Sequence, residues 1–99
     1  MAKFYRVVSL AEYEDILESG MMRAGLIAVD GKHLVGTVEH AKEFATLLYG
    51  DIECIIVSVE VSDAAATRFF HFPMLDGVGP AWFAEQTDLQ DAVVLKVVP

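Results

Sequence analysis

Residues 52–61, "IECIIVSVEV", restrict the architecture of this chain more than any other stretch. From Cys54 to Val57 the run is continuously apolar, as a strand buried on both faces would be, and from there it alternates. It is the longest strand candidate and belongs at the centre of a sheet. The loops between the remaining candidates are too short for parallel crossovers, so the sheet should be mainly antiparallel.

The other elements follow from local signals. "KFYRVVS" (3–9) reads as the first strand. Ser9 and Glu12 form an S-x-x-E capping box, after which Leu10, Tyr13, Ile16 and Leu17 recur at helical spacing until Gly20. Glu12, Glu14, Asp15 and Glu18 would decorate the solvated side of this helix. Asp30-Gly31, between the apolar runs of "LIAVDGKHLVG", signals a tight hairpin. Thr37 caps a second helix whose stripe is Val38, Ala41, Ala45 and Leu48 with Phe44 beside it, ending at Gly50. "SDAAAT" (62–67) fits one helical turn and "RFFHF" (68–72) a short strand. "PMLDGVGP" (73–80) reads as a loop, and "AWFA" and "AVVLKVV" are the last strands, joined by "EQTDLQD". The expectation is one α+β domain over residues 1–99 with two principal helices, at 10–19 and 38–49.

Composition narrows the function. The chain is 55% apolar, rich for 99 residues, which points to a homodimer, a protein partner or an exposed apolar patch. Its net charge of −8 repels phosphate backbones and argues against nucleic-acid partners. An acidic interaction or inhibitor protein, non-catalytic and offering carboxylates to a basic partner, is one function class this allows. No apolar run could span a bilayer, and the N-terminal residues lack the apolar centre of a signal peptide. The lone Cys54 sits in the central strand and reads as inert core. These features together suggest a cytoplasmic protein. No phosphate-loop, dinucleotide, zinc-protease or C-x-x-C motif is present, and His33, His40 and His71 lack ligand spacing, so no metal site is expected.

Arg6 is the residue that asks for a partner. Strand alternation places it on one face with Phe4 and Val8, and a guanidinium there requires either an internal carboxylate or an external anion.

Read together, "FYRVVSLAEYEDILESGM", "KHLVGTVEHAKEFA" and "GPAWFAEQTDL" supply a further lead. Their order resembles the ADP-ribosyltransferase fold, and the arrangement is similar to that of the RNA 2′-phosphotransferases, whose late "GVWLT" strand "GPAWFAE" matches. The resemblance implies a split, mainly antiparallel sheet and a cleft for NAD or a related nucleotide. It also implies transfer of ADP-ribose or hydrolysis of NAD, as in a toxin or phage effector. Tyr5 and Arg6 would match the first-strand site that holds phosphate or ribose. Thr37 would match the hydroxyl residue at the nicotinamide ribose, and His33 would line the cleft. Glu85 would be the catalytic carboxylate, stabilising the oxocarbenium character that develops when the glycosidic bond breaks. Plain alternatives stand beside these roles: Thr37 as a helix cap, Glu85 as a surface acid, and Trp82 and Phe83 as core.

Overall fold

A computed structural model describes residues 1–22 and 31–97. Among these, the order is β1 (Ala2–Ser9), α1 (Leu10–Ser19), β2 (Gly31–Val35), α2 (Val38–Tyr49), β3 (Cys54–Val61), α3 (Asp63–Ala66), β4 (Phe70–Leu75), β5 (Gly79–Glu85), α4 (Gln86–Leu89) and β6 (Val93–Lys96). The fold is α+β, and every strand pairing is antiparallel. Both principal helices lie where their caps put them. Ser9 Oγ accepts from the Glu12 N–H and Thr37 Oγ1 from the His40 N–H, each at 3.1 Å. Gly20, at φ 76°, turns the chain out of α1 while its N–H bonds the Ile16 carbonyl at 2.8 Å.

The strands form one six-stranded sheet in the order β4-β5-β2-β1-β3-β6. The resemblance implied two small sheets, and here the structure differs. A single ladder pair, Tyr5↔Val35, joins β1 to β2 and makes one sheet of two three-stranded halves. By contrast, β1 and β3 pair continuously from Ala2↔Val61 to Ser9↔Cys54. The segment at 54–61 is thus an inner strand, with Val57 and Val59 fully buried.

Three further expectations need correction or placement. "PMLDGVGP" is not a free loop but the heart of the β4–β5 hairpin. Asp76 and Gly77 take φ of 53° and 74°, the left-handed pair of a tight type I′ turn, and the Val78 N–H closes it on the Leu75 carbonyl at 3.0 Å. Pro73 sits where the β4–β5 register shifts, on an edge strand that can spare its missing N–H. The strand and turn expected before Gly31 lie outside the described residues. Lastly, "EQTDLQD" contains α4, whose Leu89 is fully buried.

Apolar side chains pack on both faces. On the α1 side, Phe4, Val8, Ile16, Leu34, Val57 and Val59 gather with Trp82 against them. On the α2 side a smaller group, Val7, Val35, Ala41, Phe44 and Ala81, packs under the second helix. The helical stripes are narrower than their spacing suggests: Leu17 and Leu48 are exposed.

Candidate functional site

The two halves of the sheet part where β1 and β2 stop pairing, and a cavity of about 310 Å³ opens there on the α2 side. β1 supplies Tyr5 and Arg6, β2 supplies His33 and Val35, α2 supplies Phe44, Leu48 and Tyr49, and the hairpin supplies Leu75 and Asp76. Three of the five residues expected to form a cleft, Tyr5, Arg6 and His33, therefore meet. Thr37 and Glu85 do not join them. Thr37 spends its hydroxyl on the α2 cap. Glu85 ends β5, exposed and opposite Gly31, and its side chain makes no cap bond to α4. Trp82 packs on the core of the other face.

Arg6 has an internal partner. Its Nε donates to Glu12 Oε2 at 2.9 Å and its Nη2 to Glu12 Oε1 at 3.1 Å, a two-pronged bond in which both side chains are about four-fifths buried. Nη1 donates to the His33 carbonyl at 3.0 Å, so the guanidinium ties β1 to β2 beside their one ladder pair. The expectation that Arg6 would hold an external anion, with no acid in reach, is overturned by this geometry. Glu12 departs from its reading as well. Its N–H is capped by Ser9, yet its carboxylate turns to Arg6 and, at 3.6 Å, to Lys32, rather than standing in solvent. Nothing in S-x-x-E spacing signals that diversion. It arises because α1 starts directly after β1 and brings its first turn over Arg6.

The electrostatics follow from this cluster. Burial alone would raise the Glu12 carboxyl, but the hydrogen bonds and charge of Arg6, with Lys32 behind them, hold it below its ordinary value. Burial pushes Lys32 down, and the Arg6 charge adds to that against the pull of Glu12. His33 is lowered by burial and then by Arg6, with Asp76 partly offsetting them. At neutral pH its imidazole is uncharged. Tyr49 is raised, first by burial.

The cavity walls are thus mainly aromatic and aliphatic, with one neutralised guanidinium, one neutral imidazole and the exposed Asp76 carboxylate at the edge. At about 310 Å³ the space is at the lower end of small-molecule pockets and has room for one ring system rather than a dinucleotide. Tyr49, Leu48 and Asp76 were not singled out as site residues from sequence. The helical stripe and the Asp76-Gly77 turn were the available signals. Among the described residues, no cluster of His, Cys, Asp and Glu could hold a metal ion, and no helix is long and apolar enough to cross a membrane. The chain matches no protein-family model, no curated protein and no solved structure.

Proposed function

We propose that this chain is an ADP-ribosyltransferase-like domain that binds NAD or a related nucleotide, with the seam cavity receiving one ring of the ligand. The observation that carries the reading is the meeting of Tyr5, Arg6 and His33 at the parting of the two half-sheets. Tyr5, Tyr49 and Phe44 offer ring surfaces, and planar ligands gain most from such walls. Arg6 serves as part of the wall rather than as a free anion hook, since three of its five donors are committed to protein acceptors. Glu85 stands away from the cavity lining, so the reading is of binding, and no transfer or hydrolysis step is assigned.

Thermal unfolding with NAD, ADP-ribose and nicotinamide, each at millimolar concentration, tests it. A ligand that binds only the folded state stabilises by RT ln(1 + [L]/Kd), about 2.7 kcal/mol at a hundredfold excess over Kd. NAD and at least one fragment should raise the Tm. Leu48→Trp, at an exposed rim position, should fill the cavity and erase the shift while the protein stays folded. Unchanged melting with all three compounds overturns the reading.

A further inference from the structure

Beside the cavity, and sharing His33 and Asp76 with its lining, lies a surface whose phenylalanines the nucleotide reading does not use. Among the described residues, β4, β5 and β2 extend past the cover of α2, and strand alternation puts Phe70, Phe72, Phe83 and His33 together on the face that α2 leaves uncovered. Phe70 and Phe72 ring centroids are 4.7 Å apart, His33 is 5.1 Å from Phe83, and His33 is 5.9 Å from Phe72. The rings touch edge-on or tilted, the geometry of a packed aromatic cluster. Yet Phe70 is 63% exposed, His33 is exposed, and Phe72 and Phe83 are half-buried; Met74, further along β4, is 62% exposed. A cluster of rings that stays partly open to solvent on a small protein marks an interaction site.

Two carboxylates flank these rings. Glu85 is two residues beyond Phe83 on the same face of β5, and Asp76 occupies the hairpin turn at the other end. Both are exposed. Arg68, the arginine nearest in sequence, is turned to Asp88 at 2.6 Å. The face is therefore aromatic with an acidic rim, on a protein with 15 acidic and 7 basic residues. We propose that it docks a basic segment of a partner protein, whose arginine or lysine side chains lie over the phenylalanine rings and reach Glu85 and Asp76. Cations bind the faces of aromatic rings, and carboxylates at the rim add charge complementarity and steer the approach. A second copy of the chain fits less well. A two-fold pairing on this face would set the same acidic rims against each other.

Amide-resolved NMR titration of the whole chain tests the proposal, with a short capped peptide alternating arginine and leucine as the probe. A matched peptide with glutamate in place of arginine is the control. Shifts should centre on Phe70, Phe72, Phe83, His33 and Glu85, and should weaken as salt is raised. Phe70→Ala and Glu85→Gln change exposed side chains, and each should weaken the apparent Kd about tenfold, the scale of a lost anchor. Four results each overturn the proposal: equal binding of the glutamate peptide, unchanged affinity in both variants, shifts centred elsewhere, or no binding at millimolar peptide. Concentration-dependent shifts of the same residues without peptide would also overturn it, because a second copy would then be the occupant. Phe70, Phe72, Phe83 and Glu85 lie outside the cavity lining, so shifts there, and the effects of the two variants, are read separately from what the seam cavity holds.

Discussion

β1 has two neighbours in the sheet, and they are held in opposite ways. Towards β3 the backbone does the work: eight residues of β1 pair in unbroken register, and Val57 and Val59 are buried beneath them. Towards β2 the ladder is one pair long. β2 gives way to the Gly36 turn after Val35, so pairing cannot continue in that direction. In the other direction the strands separate around Arg6, whose guanidinium spans them to the His33 carbonyl and takes Glu12 as counter-ion. A ladder closes a seam completely, whereas a side-chain bridge holds it while leaving space. The cavity lies at the bridged seam, which is where a sheet can open a binding site without losing its continuity.

The largest effect should come from removing the bridge. Arg6→Ala strands a mostly buried Glu12 beside Lys32 alone and deletes the link to His33. Losing one partner of a buried pair costs about 3–5 kcal/mol, and the residual exposure here places the expected loss near the lower figure. Urea unfolding measures it. The double variant Arg6→Met, Glu12→Leu should recover most of the loss, since an apolar pair strands no charge. A loss below about 1 kcal/mol, the size of a surface pair, would mean that the Tyr5↔Val35 ladder holds the seam unaided.

A smaller effect tests the opposite side of β2. A Cβ on Gly31 would collide with the Ala84 carbonyl and approach the Phe83 ring to 2.9 Å. The obstruction is backbone in a paired strand and cannot swing aside. Gly31→Ala should cost about 1–3 kcal/mol, the range for overpacked sites. Because β2 pairs with β5 over five positions, the damage should be confined to that ladder. Faster amide exchange in β2 and β5, with β1 and β3 unchanged, would confirm that the two halves of the sheet respond separately. Equal acceleration in both would show that they are one cooperative unit.

Much of the local structure was legible because it depends on short-range signals. Ser9 and Gly20 bound α1, Thr37 and Gly50 bound α2, and the apolar run at 54–61 identified the inner strand. The tight-turn rule was read at Asp30-Gly31, whereas the described hairpin with this chemistry is at Asp76-Gly77. There the two prolines of "PMLDGVGP" masked strand residues, since prolines at an edge and a register shift cost little pairing. The site was half legible. Alternation showed that Arg6 needed a partner, and it placed Tyr5 and His33 on strands. The choice between an internal and an external partner turns on a contact six residues apart, across the β1–α1 junction, and no periodicity encodes it. Glu85 was placed by element order, which cannot say how far the end of β5 lies from a cavity that opens beyond the neighbouring strand β2.

The smallest effect is the pH response of the bridged seam, and its sign is fixed by the groups around Arg6. His33 is held below its ordinary value, so between that value and its folded one the unfolded chain binds more protons. Stability from this residue is therefore full above about pH 6.5 and falls as pH drops through the folded value. Glu12 is also depressed, so its contribution is full above about pH 4.5 and is lost on further acidification. Lys32, lowered as well, makes stability rise with pH at the alkaline end, approaching about 10.5. All three slopes have the same sign. Thermal melts between pH 7 and pH 3 should show a shallow decline that starts below about 6.5, followed by a steeper one below about 4.5. His33→Gln should flatten the first decline and leave the second. If the first persists in His33→Gln, protonation of another group is responsible, and the electrostatic coupling of His33 to the Arg6 bridge is weaker than their shared cavity implies. If it disappears, the bridged seam is the acid-sensitive side of β1, while the laddered seam to β3 responds only when the whole fold does.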